Sequence, residues 1–336
     1  MLCLGIESTA HTFGVGICDE NGKIVANEKS MYKPAKGWGI IPSEAAKYHQ
    51  KMKNDVLNEA LKKARLKMEE IDVIAYSRGP GLPPCLHEGV KLVKDITRQH
   101  QKPVVGVNHC IAHIEIGKLC SGFLDPVVVY VSGGNTQIIS FASYRYRVFG
   151  ECMDIGIGNA LDKFGRAIGL DFPQAPKIEE LAKKGEWIKL PYVVKGMDLS
   201  FSGIVTECIK LYKRGEKVEN LCFSIQEVFF SMLTEVAERA LAHLGKNELL
   251  LTGGVAANKR LQEMMKIMCE ERKAKFQVVS KEFSGDNGAM IAWTGILAYN
   301  SGEIAKEIDF DPRWRTDEAE VKWVSNNFYS KNERKK

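Results

Sequence analysis

Val127-Val128-Val129-Tyr130-Val131-Ser132-Gly133-Gly134-Asn135-Thr136-Gln137-Ile138-Ile139-Ser140-Phe141 is the stretch that decides the architecture. Five apolar residues read as a strand, the five small or polar residues Ser132 to Thr136 as a tight turn, and a second run from Gln137 to Phe141 returns antiparallel. The chain opens on the same design. Leu2-Cys3-Leu4-Gly5-Ile6 leads through Glu7-Ser8-Thr9 to Phe13-Gly14-Val15-Gly16-Ile17-Cys18, and the hairpin signal Asn21-Gly22 carries it into Lys23-Ile24-Val25-Ala26. Two such openings, about a domain length apart, indicate an internal duplication.

Each opening gives way to helices. Ser43 to Leu66 carries Met52, Val56, Leu57, Ala60, Leu61 and Ala64 on one stripe, and Leu221 to Leu244 carries Cys222, Ile225, Phe229, Met232, Val236 and Ala240 at the same spacing. Both stripes read as core. Ile71 to Ser77 and Glu248 to Leu251 read as buried strands. Mixed sheet then helices, twice, predicts a duplicated α/β fold of two lobes facing across a cleft, where ligands preferentially bind. The expected divisions are a first lobe over 1–120, a second over 121–300, a segment over 301–325 that returns to pack on the lobes, and a basic tail or linker start over 326–336.

Composition narrows the class. The 336 residues are 45% hydrophobic and 26% charged, enough for two ordinary domains with their own cores. Nine cysteines, an odd number without a Cys-x-x-Cys pair, argue for reduced thiols over a disulfide framework or structural zinc. The N-terminus lacks the basic start and apolar run of a signal peptide, and runs such as Val127 to Val131 are too short to span a bilayer. A cytoplasmic protein is expected. The net charge of +5 is compatible with a nucleic-acid partner without requiring one.

Asn108-His109-Cys110-Ile111-Ala112-His113 follows the apolar run Val104-Val105-Gly106-Val107. In a helix, His109 and His113 lie one turn apart on one face, a spacing that lets two imidazoles share a metal ion; spacing alone leaves unrelated histidines as an equal alternative. A zinc protease needs Glu directly after the first His, and Cys110 stands there, which disfavours that chemistry. Ser132-Gly133-Gly134-Asn135-Thr136 and Thr252-Gly253-Gly254-Val255-Ala256-Ala257-Asn258 each follow an apolar strand, the second just before a helix from about Lys259. Their backbone N–H groups suit a phosphate. Asp162 sits early in a helix preceded by Gly156 and Gly158, as a dipole partner or a ribose ligand. Asp286, in Ser284-Gly285-Asp286-Asn287-Gly288, reads on its own better as a helix N-cap than as a metal ligand. Arg78-Gly79-Pro80-Gly81-Leu82-Pro83-Pro84 reads as a rigid strand-to-helix turn.

Taken together and in order, these segments resemble the universal tRNA threonylcarbamoyladenosine synthase family in its archaeal and eukaryotic form, the catalytic subunit of the KEOPS complex. Gly5-Ile6-Glu7-Ser8-Thr9-Ala10-His11-Thr12, Gly79-Pro80-Gly81, Asn108-His109 with His113, Tyr130 to Thr136, Gly196-Met197-Asp198 with Phe201-Ser202-Gly203, Gly253 to Asn258 and Gly285 to Gly288 carry the match, from about residue 2 to residue 324.

The resemblance implies the actin/Hsp70/sugar-kinase (ASKHA) fold. It implies transfer of threonylcarbamoyl from threonylcarbamoyl-AMP to the adenosine 3′ of the anticodon in tRNAs reading codons that begin with A. It implies one iron or zinc ion held by His109, His113, Tyr130 and Asp286. It also implies an adenine nucleotide (threonylcarbamoyl-AMP, ATP or ADP) at Tyr130, Val131, Ser132, Gly133, Gly134, Asp162, Ala175, Glu179 and Asn258. The implied partners are tRNA, a small atypical protein kinase and the other KEOPS subunits.

The chain departs from the family pattern at Gln174 and Ala175, where two glycines are usual, at His87, where Arg is usual, and at Ile41, Ser43 and Tyr48. Two other readings remain: a small-molecule phosphotransferase of the same fold, and a divergent nucleotide-binding scaffold.

Overall fold

The computed structural model describes residues 1–35 and 38–324; the expected tail or linker over 326–336 lies outside the described residues. In the first half, β1 (Leu2–Glu7), β2 (Thr12–Asp19) and β3 (Ile24–Met31) form an antiparallel meander. Then come α1 (Pro42–Ala64), β4 (Val73–Gly79), α2 (Pro83–His100) and β5 (Val104–Asn108), with β4 parallel to β1 and β5 parallel to β4. The helix α3 (His109–Ser121) leads to β6 (Val127–Val131), β7 (Thr136–Ala142) and β8 (Arg145–Glu151), a second antiparallel meander.

The remainder comprises α4 (Ile157–Ala167), α5 (Gln174–Ala182), the two-residue pair β9 (Val194–Lys195) and β10 (Asp198–Leu199), α6 (Ser202–Lys213), α7 (Val218–Leu244), β11 (Glu248–Thr252), α8 (Lys259–Glu271), β12 (Lys275–Val278), α9 (Lys281–Ser284) and α10 (Gly288–Asn300). The sheet orders are β3-β2-β1-β4-β5 and β12-β11-β6-β7-β8. Traced from its meander end, the second sheet repeats the first strand for strand, so the duplication read from two hairpins is a duplication of topology.

Three apolar cores stack the molecule in layers. One lies between the first sheet and α1 with α2, one lies beyond the second sheet under α4 to α8, and one lies between the sheets and contains α3 and α10. A helix in such a middle layer must be apolar nearly all round, and α10 is, with Met290, Ile291, Ala292, Ile296 and Ala298 all buried. Although it falls at the end of the range assigned to the second lobe, α10 packs on β1, β2 and β4 of the first sheet. The approach is backbone to backbone: a Cβ on Gly5 would lie 2.2 Å from Ala292 N, and one on Gly16 2.2 Å from Ala289 N. Only glycine permits that contact.

Residues 301–324 return along the free edge of the first sheet. Ala305 N–H donates to Val104 O, the Tyr76 hydroxyl donates to Asp309 O, and the Asn108 side chain donates to Trp314 O. The segment therefore braces β5 at the point where α3 begins.

Candidate active site

Asn108 starts the site. Its side-chain oxygen accepts the N–H groups of Cys110 and Ile111, at 3.0 and 3.2 Å, and so caps α3. The helix begins at His109, and His113 follows one turn later with the ring centroids 4.8 Å apart. Asp286 comes from the opposite end of the chain. Its Oδ1 lies 3.6 Å from His109 Nε2 and 3.4 Å from His113 Nε2. Ligand atoms of the three residues lie within 4.8 Å of one another. Tyr130, at the end of β6, stacks obliquely beside His113 with centroids 5.1 Å apart.

The sequence expectation of Asp286 as a helix cap is corrected. Asn287 caps α10, its side-chain oxygen accepting Met290 N–H while its amide donates to Phe283 O and Gly285 O. One residue earlier, the Asp286 carboxylate is beyond reach of the cap position and turns to the histidines.

Electrostatics separate the two rings. Burial opposes charge on His109, but the Glu7 carboxylate at 2.9 Å and Asp286 outweigh it and lift its pKa to about 9. Burial lowers the pKa of His113 despite Asp286, and the His109 charge works in the same direction. Burial works against charge on Asp286, yet the two histidines hold it well below the usual carboxylate range. Burial pushes the Tyr130 phenol well above its ordinary value.

The donor set fits a cation on its own evidence. Among the described residues, both ring nitrogens of His113 and the hydroxyl of Tyr130 are buried with no well-aligned hydrogen-bond partner, Asp286 Oδ1 being the nearest acceptor to His113 Nε2. A buried polar atom left unpaired is unfavourable by about 1–3 kcal/mol, and native proteins rarely leave several together. Two imidazoles, one carboxylate and one phenol oxygen are ligands of intermediate hardness, suited to iron or zinc. Cys110 is no nucleophile, because burial pushes its thiol up to about 12.

The Gly-rich turns sit at the same end of the second sheet. Tyr130 and Val131 are fully buried in the strand beneath, so Val131 offers the site only its backbone. Ser132 to Asn135 fold over the start of α4: Gly158 N–H donates to Ser132 O and Asn159 N–H to Gly133 O. A Cβ on Gly158 would lie 2.8 Å from Gly133 Cα. Among the described residues, no hydrogen bond uses the N–H of Gly133 or Gly134, and both residues are exposed. The second turn is brought against the first. Gly253 has φ +98°, and a Cβ there would meet Val131 O at 2.3 Å.

The other expected nucleotide positions ring these turns. Burial raises the pKa of Asp162, opposed by the N–H groups of Gln174 and Ala175 at the start of α5. Ala175 lies in helical backbone with no positive φ, so the usual glycine there is not needed for conformation. The volume of Gln174 is accommodated by α4: a Cβ on Gly165 would lie 2.4 Å from Gln174 Cβ. Glu179 accepts Lys259 N–H at 2.7 Å, and Asn258 caps α8 while its amide donates to Gln226. Of the other substituted positions, Tyr48 hydrogen-bonds Ser30 at 2.6 Å, and His87 tilts against Phe310.

Sequence reading missed Glu7 and Thr9 as parts of the site. Glu7 ends an apolar strand inside the matched Gly5–Thr12 stretch and is fully buried, but its local pattern assigns it no role. A cavity of about 760 Å³ between β5 and residues 302–323 reaches Asn108 but neither histidine, and is separate from this centre.

Comparisons with known proteins agree with the geometry. The family profile described as TsaD, tRNA N6-adenosine threonylcarbamoyltransferase, matches residues 22–293. A Methanopyrus kandleri protein named tRNA N6-adenosine threonylcarbamoyltransferase is 48% identical over 336 residues, covering 97% of each chain. A Methanocaldococcus jannaschii protein named probable bifunctional tRNA threonylcarbamoyladenosine biosynthesis protein is 50% identical over 327 residues, covering 96% of this chain and 61% of that one. Among solved structures, the Thermococcus kodakarensis HypF crystal structure aligns with TM-score 0.63 at 16% identity, over 91% of this chain and 48% of that one, a likeness of fold. With most of its length matched by the profile and nearly all of it by relatives at about half identity, this chain belongs to the tRNA N6-adenosine threonylcarbamoyltransferase family.

Proposed function

We propose that this chain transfers the threonylcarbamoyl group of threonylcarbamoyl-AMP to the N6 amine of the adenosine 3′ of the anticodon, in tRNAs reading codons that begin with A. Family membership supports the reaction. The observation that carries the site is the position of Tyr130, the penultimate residue of β6, which lies beside His113 and two residues before the Ser132–Asn135 turn. A metal centre and a phosphate cradle thus share one strand end.

His109, His113, Tyr130 and Asp286 would hold the iron or zinc ion. When bound, it supplies Lewis-acid polarisation of a substrate oxygen. The free N–H groups of Gly133 and Gly134 cradle the phosphate. Asp162, held by the start of α5, faces the ribose. Glu179 and Asn258 fix the N-terminus of α8 behind the nucleotide. The amine adds to the acyl carbon, the carbon–oxygen bond to phosphate breaks, AMP leaves, and the amine loses its proton. A mixed anhydride is already activated, so orientation supplies most of the remaining acceleration.

The proposed partners are tRNA, a small atypical protein kinase and other KEOPS subunits; the bifunctional name of the M. jannaschii relative supports a second enzymatic unit beside this one. A cytoplasmic location fits a tRNA substrate. Among the described residues no helix is long and apolar enough to cross a membrane.

Incubation with threonylcarbamoyl-AMP, tRNA and the partner subunits, followed by nucleoside mass spectrometry, tests the reading. Appearance of threonylcarbamoyladenosine supports it, and unmodified adenosine in the presence of intact substrate overturns it.

A further inference from the structure

The last residue of β1 has a geometry that neither the fold nor the nucleotide requires. Glu7 is fully buried, and its two oxygens are divided between two tasks. Oε1 accepts the Thr9 N–H at 2.7 Å and the Thr9 hydroxyl at 2.5 Å. Oε2 lies 2.9 Å from His109 Nδ1. The turn itself is locked: Ser8 N–H donates to Ser77 Oγ at 3.0 Å, and a Cβ on Gly89 would lie 2.1 Å from Ser8 Oγ.

We propose that Glu7 is a positioning residue of the metal centre, holding His109 in the tautomer that presents Nε2 to the ion. This rests on the reading of His109, His113, Tyr130 and Asp286 as a metal centre. The argument is one of donors and acceptors. A backbone N–H can only donate, so Oε1 is an acceptor, and both Thr9 donors are spent on it. Oε2 is left as the acceptor facing the ring at 2.9 Å, so the proton shared with it sits on Nδ1. The other nitrogen, Nε2, is the one aimed at Asp286. A partner on the far ring nitrogen fixes both the tautomer and the ring plane of a metal-binding histidine.

The consequence is that the first hairpin, which supplies no ligand, controls a centre built from α3, β6 and the start of α10. Glu7→Gln is the discriminating variant. It keeps the shape, but its amide oxygen must accept from Thr9, which turns the amide N–H₂ toward His109 Nδ1. The ring then carries its proton on Nε2, the wrong nitrogen for ligation.

The test is a Zn²⁺ competition titration against a chromophoric chelator on the full chain, with Co²⁺ visible spectra as a second readout. Metal affinity of Glu7→Gln is expected to fall about 10–100-fold, with a shifted Co²⁺ spectrum and an unchanged far-ultraviolet circular dichroism spectrum. In a His109→Ala background, titrated at the higher Zn²⁺ concentrations its weakened centre needs, the same substitution is expected to change nothing further. Thr9→Val, which removes one of the donors that anchor Oε1, is expected to weaken metal binding less, and it serves if Glu7→Gln does not fold. Wild-type affinity in folded Glu7→Gln, or an equal loss in the His109→Ala background, overturns the proposal while leaving the centre in place. A wild-type chain that binds neither Zn²⁺ nor Co²⁺ overturns the metal centre and this inference together.

Discussion

The two hairpin turns occupy equivalent places in the duplicated sheets and have opposite characters. In the first, Glu7, Ser8 and Thr9 are buried, and their polar groups are spent on one another, on Ser77 and on His109. In the second, Gly133 and Gly134 are exposed with unused N–H groups, over a helix start that approaches as closely as glycine allows. One topology thus yields a side-chain network that holds His109, the proposed metal ligand, and a bare backbone whose N–H groups suit an anion. Duplication fixes where a turn lies; the residues in it decide which chemistry it serves.

The largest effects should come from the centre on which both turns converge. His113→Ala, His109→Ala and Asp286→Ala are each expected to lose bound metal and to reduce transfer by about 100-fold or more. Elemental analysis and the tRNA assay, run on the same preparations, check this. Full metal content in any one of the three would remove that residue from the ligand set.

The next effect separates the turns by pH. His49 lies behind the first turn in an edge-to-face contact with Phe13, fully buried, with neither nitrogen in a well-aligned hydrogen bond among the described residues. Burial lowers its pKa to about 4, with Glu7 opposing. The unfolded chain therefore takes up a proton near pH 6.5 that the folded chain refuses until about pH 4. The neutral ring's contribution is fully present above pH 6.5 and is lost as the pH falls toward 4, on the order of 3 kcal/mol in all. Denaturant titrations across that window should show the loss, and His49→Phe should remove its share of the slope.

Gly158→Val addresses the second turn alone. The added branch would strike Gly133 and Ser132 and push the turn out of place. Nucleotide affinity measured by calorimetry with ADP should fall about tenfold, with a stability loss of about 1–3 kcal/mol. Metal content should be unchanged, because no ligand moves. Loss of metal in this variant would mean that the two sites are one mechanical unit.

What the sequence disclosed follows the same division. Strands with long apolar runs and helices with a clear stripe were legible, as were the paired histidines, because periodicity records one-sided or complete burial. The strands β8 and β12 were not, since their mixed exposure leaves little pattern over seven and four residues. Glycines announced the backbone site, since a close approach demands that residue type. Glu7 was invisible because its role depends on a partner 102 residues away, and strand pattern carries no such information. The placement of α10 on the first sheet was hidden for the same reason, with close-approach glycines such as Gly5, Gly14, Gly16, Gly288 and Gly295 as its local trace.

The smallest expected effect separates neighbours at the start of α10, the helix that lies against the first hairpin. A Cβ on Gly14 would meet Gly288 N at 3.0 Å and the Asn287 backbone at 3.4 Å, so the helix end is set by packing as well as by its cap. Asn287→Ala removes the bond to Met290 N–H and should lower stability by about 1 kcal/mol, the usual effect of losing an N-cap. Because β2 still holds the helix end, Asp286 should keep its place and the protein its metal. Asp286→Ala should do the reverse, losing metal while the cap and the helix remain. Thermal melts and elemental analysis on the two variants decide the division. If Asn287→Ala sheds metal as completely as Asp286→Ala, the cap and the ligand act as one device, and adjacent residues do not divide the work.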